Sequence, residues 1–241
     1  MIQYKYLTYY QLYVVKSNYS RKGKRNTGGV HFMDSKAFFK LNYGVYIVSS
    51  SADGKDGGCV INTMAQVTSS PARLSIALNK NNHTLKLIET SGTFSGVVLS
   101  DNVDMDLIKR FGFQSGRDVN KYDGLPQGRD GLHNPYPTQG VCARFACRVI
   151  STLDVGTHVI VIGQVEEAEV MDEKTPGLTY SDYHVKKNGS TPPNAPSYQE
   201  NAGRTVGYRC TVCGYILESD TLPDDFICPV CGKDASYFVK I

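Results

Sequence analysis

Two Cys-x-x-Cys-Gly segments, Tyr208-Arg-Cys210-Thr-Val-Cys213-Gly214-Tyr215 and Phe226-Ile-Cys228-Pro-Val-Cys231-Gly232, constrain what this chain can fold into more than any other feature. Fourteen residues, Gly214 to Ile227, separate them, a span that lets four thiolates converge on one tetrahedral metal ion. Each segment makes a tight turn, and the glycine after its second cysteine lets backbone N–H groups curl toward sulfur. So small a domain buries too little to hold itself together and gains its stability from the ion. Spacing alone suits either zinc, as in a purely structural ribbon, or iron.

The residues around the cysteines separate the two metals. Tyr208-x-Cys-x-x-Cys-Gly-Tyr215, Leu222-Pro-Asp-Asp-Phe226-x-Cys-Pro-x-Cys-Gly and Phe238 together resemble rubredoxin, whose one iron cycles between ferric and ferrous inside a wrap of aromatic side chains. The resemblance implies one iron on Cys210, Cys213, Cys228 and Cys231. Two features depart from free-standing rubredoxins. The segment between the cysteine pairs is shorter, as in the abridged rubredoxin domain of rubrerythrins, and Phe226 stands where a tryptophan is common.

With 241 residues the chain can build one sizeable core plus this appendage. No apolar run approaches membrane-spanning length, so no membrane role is expected. Three further cysteines, Cys59, Cys142 and Cys147, are scattered, which argues for a reducing compartment and a cytoplasmic location rather than a disulfide framework. The net charge of +3 is misleading, because residues 1–32 hold six basic groups and no acid; the rest has 20 basic against 23 acidic groups, a net of −3. That balance leaves no footprint for nucleic acid. Residues 1–32 also carry six tyrosines and lack the apolar segment of a secretory signal. They read as translated upstream sequence or a disordered extension, with Met33 as the true start and Asp34 or Ser35 as the cap of a first helix.

The body, 33–185, reads as a short helix (35–41), a strand (43–51), a turn over Asp53-Gly-Lys-Asp-Gly-Gly58 and a returning strand from Cys59 to Val67. A third strand (73–79), a helix to about Thr90, a strand (93–100) and a helix over 104–110 follow. A glycine-rich polar loop is expected from Phe111 to about Gly131, then two long strands, 141–153 and 157–171. Many strands and few helices predict a mostly β fold, an antiparallel barrel. Residues 186–205 are a linker rich in Pro, Asn and Ser, and 206–241 form the metal domain. No G-x-G-x-x-G follows a strand, and neither a P-loop nor H-E-x-x-H occurs.

Five segments of the body resemble the flavin reductase-like, FMN-binding split β-barrel family, of Greek-key type. They are Tyr43-Gly-x-Tyr46-Ile-Val-x-Ser, Asn62-Thr63-x-x-Gln66-Val-Thr68-Ser69-x-Pro71, Asn79-Lys80-x-Asn82-x-Thr84, Phe111-Gly-x-x-Ser115-Gly-Arg117-Asp, and Gly156-Thr-His158-x-x-x-x-Gly163-x-Val165. Barrel and tail together are similar to the high-molecular-weight rubredoxins of anaerobic bacteria, which act as NADH:rubredoxin oxidoreductases. The resemblance implies an FMN phosphate at Asn79, Lys80, Asn82 and Thr84, where a strand end leads into a helix start that suits an anion. It places Asn62, Thr63 and Gln66 at the flavin ring, Thr68 and Ser69 at ring or phosphate, and His158 on the nicotinamide side. Arg117, with Lys121, would cover a phosphate of FMN or of NAD(P)H.

The implied chemistry is hydride transfer from NAD(P)H to FMN, single-electron steps to the iron, and delivery to a redox protein such as a flavodiiron oxygen or nitric oxide reductase. A homodimer with FMN near the subunit interface is implied as well. Two rival readings stand beside this one: a reductase that supplies free reduced flavin, and a non-catalytic FMN-binding protein with a structural zinc ribbon.

Overall fold

A computed structural model describes residues 35–185, 207–213 and 215–241. The extension 1–32, Met33, Asp34, the linker 186–205, Val206 and Gly214 lie outside the described residues. After a short 3-10 helix, Ser35–Lys40, β1 (Tyr46–Ala52) and β2 (Lys55–Ile61) form a hairpin paired from Ala52↔Lys55 to Tyr46↔Ile61. Its loop is only Asp53-Gly54, at φ 51° and 72°. Two successive left-handed residues give a turn whose twist matches the strands, which Asp-Gly favours. The expected turn over 53–58 is therefore too long. The expected strand from Cys59 to Val67 is also two strands: Asn62-Thr-Met64 interrupts it, and β3 (Ala65–Ser69) pairs instead with β4 (Ala72–Asn79).

Next come α1 (His83–Ser91), β5 (Thr93–Leu99) and α2 (Met105–Phe113), then a two-stranded ribbon of β6 (Gln127–Arg129) and β7 (Pro135–Pro137). A long hairpin, β8 (Val141–Asp154) with β9 (His158–Val170), and α3 (Tyr180–Val185) complete the body. The seven-stranded sheet has the order β2-β1-β5-β8-β9-β4-β3. Its ends curl toward each other, because Cys59 and Ile61 of β2 share a buried cluster with Leu74, Ile76 and Leu78 of β4, five places along. That is a split barrel, and α1 seals it with Leu85 and Ile88.

A second cluster covers the outer face. Ile47 belongs to it while Val48 faces the barrel interior, and Val97 and Leu99 lie opposite Phe94 in the same way. Strands buried on both faces do not show polar alternation, and each fully buried Ile, Leu or Phe contributes about 1.5–3 kcal/mol. Of the polar exceptions, Ser49 bonds Tyr122 and Ser50 Oγ donates to Thr93 O at 3.0 Å, whereas the buried Ser95 Oγ has no partner among the described residues. The tail is a three-stranded sheet, β10 (Tyr208–Cys210), β11 (Ile216–Leu217) and β12 (Phe238–Lys240), in the order β11-β10-β12.

Candidate functional site

The four tail cysteines come together. Cys210 and Cys231 sulfurs are 3.6 Å apart, Cys213 and Cys228 sulfurs 3.5 Å, and all four lie within 4.8 Å of one another. A tetrahedral ion with metal–sulfur bonds of about 2.3 Å wants sulfur pairs near about 3.8 Å, so an all-thiolate donor set fits one four-coordinate ion. The Tyr215 N–H donates to Cys213 Sγ at 3.5 Å, and Gly232, at φ 72°, turns its N–H onto Cys228 O at 2.9 Å. Burial, and then the crowding of neighbouring sulfurs, pushes the Cys213 and Cys231 thiols up. A bound cation reverses that balance by stabilising thiolates. Phe238 stands edge-on to Phe226 (5.2 Å between centroids) and to Tyr215 (6.5 Å), which completes an aromatic wrap. Of the four ligands, Cys231 alone is partly exposed.

A pocket of about 320 Å³ opens in the barrel. Its walls are the end of β2 with Asn62 after it, the end of β4 (Ala77–Asn79), the start of α1 with its cap (Asn82–Thr84), the last turns of α2 and the loop to Arg117, and His158 at the start of β9. Asn82 caps α1, its Oδ1 accepting from Thr84 N at 2.9 Å. The positive end of that helix therefore faces the pocket. Arg117 Nη2 donates to Asn81 O at 2.9 Å, which ties the loop over the same end.

The field there is positive. Burial first, then Arg117, Lys55, Lys121 and Lys86, hold the His83 imidazole below its ordinary value. Lys121 is buried, and its Nζ donates to Gly58 O at 2.8 Å and Phe111 O at 3.0 Å. Burial lowers this ammonium to about 8. Cys59 lies beside it, its thiol raised by burial and opposed by the Lys121 charge. His158 has its Nδ1 2.8 Å from Thr157 Oγ1, while its buried Nε2 has no partner among the described residues. A cationic rim around a helix start suits a phosphate, and a buried ring nitrogen without a partner suits a polar group entering the pocket. Both features fit FMN.

Of the residues expected to bind the flavin or its donor, Asn62, Asn79, Asn82, Thr84, Arg117, Lys121 and His158 line this pocket. The others do not. Thr63 Oγ1 donates to Ala77 O (3.0 Å) and accepts from Ala77 N (3.2 Å), clamping the chain to β4. Gln66, Thr68 and Ser69 lie exposed on the edge strand β3, where Thr68 Oγ1 donates to Pro71 O at 2.6 Å. Lys80 pairs with Asp154 at 2.6 Å on the surface. Sequence reasoning missed Cys59, Phe111, Phe113, Tyr180, Tyr183 and Val212, which also line the pocket.

Comparison with known proteins follows this division. Residues 38–189 match the flavin reductase like domain, and residues 208–239 the rubredoxin-like domain of rubrerythrin. The high molecular weight rubredoxin of Moorella thermoacetica is 34% identical over 230 residues, 87% of this chain and 100% of that protein. The ferric-chelate reductase (NAD(P)H) of Archaeoglobus fulgidus is 39% identical over 171 residues, 70% of this chain and 99% of that protein. Among solved structures, nitrilotriacetate monooxygenase component B from Mycobacterium thermoresistibile superposes with a TM-score of 0.55 at 24% identity, over 60% of this chain and 79% of that one, a likeness of fold. The chain belongs to the flavin reductase-like family, and its split barrel is followed by a rubredoxin-like domain.

Proposed function

We propose that this chain is an NAD(P)H-dependent flavoenzyme that passes electrons through FMN to iron at Cys210, Cys213, Cys228 and Cys231, and on to a redox protein, a flavodiiron oxygen or nitric oxide reductase. The observation that carries this reading is the presence, in one compact body, of a cation-rimmed pocket and a four-sulfur cluster. The Archaeoglobus relative's name supports a nicotinamide donor, and the Moorella relative's name supports a rubredoxin-type iron.

FMN would supply a two-electron acceptor able to release electrons singly, and four-thiolate iron a one-electron relay. The residues provide binding and orientation. The α1 start, Arg117 and Asn82 would hold the phosphate, with Lys121 contributing positive field. Asn62, just after β2, faces the ring. His158 Nε2 offers its hydrogen bond to the nicotinamide side, and Phe111 and Phe113 exclude water. Exposed Val67, Ile150, Leu153 and Val155, on β3 and the tip of the β8–β9 hairpin, support a homodimer. No helix among the described residues is long and apolar enough to cross a membrane, and three buried free thiols in the barrel support a cytoplasmic setting.

One observation favours a second reading. The Archaeoglobus relative is matched over 99% of its length by 70% of this chain, so a barrel of this kind can stand as a reductase by itself. The visible spectrum of anaerobically purified protein, before and after NADH, with an iron and zinc count, decides. Flavin bands and ferric–thiolate absorbance that bleach together support the relay. Zinc without iron in protein from its native host overturns it and leaves the reductase reading.

A further inference from the structure

The two centres meet at one place. Phe113, the last residue of α2, lines the pocket and is also buried, 8% exposed, in the same cluster as Cys210, Cys213, Cys228 and Phe238. From the other side, Val212 sits between the two cysteines of the first knuckle, belongs to that cluster, and itself lines the pocket. Gln114 to Arg117, directly after Phe113, form the pocket wall toward α1. An apolar side chain at a helix end, next to a polar loop, gains most by covering another apolar surface, here the sulfur-rich face of the first knuckle.

We propose that Phe113 and Val212 form the electron-transfer contact of this protein: within a single chain, the first knuckle docks on the end of α2 and receives electrons from the pocket. This rests on the relay reading above. A hydride from NAD(P)H brings two electrons, and the four-cysteine iron accepts one, passing from ferric to ferrous. A one-electron protein acceptor must reoxidise the iron before the second electron follows. The contact therefore works twice per hydride, and dry van der Waals packing at Phe113 and Val212 keeps the gap short without reorganising solvent. Phe113 and Val212 are positioning residues; neither is reduced.

A first test needs no turnover. In zinc-loaded full-length protein, Val212→Asp alters only the tail, while hydrogen exchange is read on the barrel peptide spanning 110–116. Docking predicts at least fivefold faster exchange there in the variant, and unchanged exchange overturns the proposal. The second test mixes iron-loaded, flavin-loaded protein with NADH anaerobically and follows the flavin and ferric–thiolate absorbances together. The delay between the two bleaching phases is expected to lengthen at least tenfold in Val212→Asp and Phe113→Asp, and to stay within threefold of wild type in Phe113→Leu. Equal delays in all four proteins overturn it. Co-expression of Phe113→Asp with Cys213→Ser chains tests the single-chain claim: recovery of the fast iron phase means docking onto a neighbouring chain and overturns it, whereas a persistently slow phase supports it. If NADH and NADPH bleach no flavin even in wild type, the relay reading fails, and the exchange comparison still decides the docking.

Discussion

Lys121 shows how much a single buried charge costs this fold. Its ammonium is drawn between the carbonyls of Gly58 and Phe111 and stands 5.9 Å from the centroid of the Phe111 ring. Burial, opposed only by Cys59, lowers it from 10.5 to about 8. Below pH 8 both folded and unfolded chains hold the proton, and the whole cost of burial is present. Between about 8 and 10.5 the unfolded chain binds the proton and the folded one does not, so stability rises with pH across that window. The gap corresponds to about 3 kcal/mol. In Lys121→Met apoprotein that rise is expected to vanish, while the lost bonds to two carbonyls lower stability by an amount independent of pH; urea midpoints at pH 7.5, 9 and 10 check this. At this scale the four-cysteine cluster was legible, because two short covalent spacings fix where its sulfurs can go. The lining of the barrel pocket was legible only in part. Gln66, Thr68 and Ser69 follow Asn62 closely in sequence, yet Asn62-Thr-Met64 breaks the strand, and β3 leaves the pocket for the sheet edge.

At the scale of elements, α1 and β9 carry the pocket. Asn82 both caps α1 and lines the site. Asn82→Ala is expected to cost about 1 kcal/mol, and Asn82→Gly only a few tenths, measured by denaturant unfolding of the apoprotein; both should weaken FMN binding in a fluorescence titration. On β9, Gly163 answers a packing need rather than a chemical one. A Cβ there would lie 2.6 Å from Phe94 Cε1 and 2.9 Å from the Cys147 Cβ, both in wholly buried residues. Gly163→Ala is expected to cost about 2 kcal/mol through overpacking, and Phe94→Leu in the same chain should recover part of it, a non-additivity visible in a double-mutant cycle. A motif glycine can thus be read from sequence without its reason being readable, since its neighbour comes from β5. The extra turn of α2 was hidden for a related reason. Gly112 is a poor helix residue and the following segment is polar, so a sequence reading ends the helix at Arg110; burial of Phe111 and Phe113 extends it.

At the scale of the whole molecule, the two knuckles face different surroundings. The first, through Val212, is turned to the barrel pocket; the second contains Cys231, the partly exposed ligand, and follows exposed Ile227 and the exposed carboxylates Asp224 and Asp225, with Glu218 and Asp220 nearby on the same small domain. The position of these carboxylates relative to the pocket depends on contacts between segments about a hundred residues apart, which order in sequence does not show. Electrons would enter on the apolar side and leave on the charged one. The two steps should then respond differently to salt, because apolar contact is little screened whereas exposed charges lose their reach within about 8–10 Å at physiological ionic strength. Pre-reduced protein mixed with hexaammineruthenium(III), a cationic one-electron acceptor, is expected to reoxidise several-fold faster at 20 mM than at 500 mM salt, and with anionic ferricyanide the trend should reverse. Asp224→Asn/Asp225→Asn should flatten both dependences while leaving the delay between flavin and iron bleaching unaltered. A salt dependence that survives the double substitution would place the exit elsewhere on the domain, away from the Cys231 knuckle.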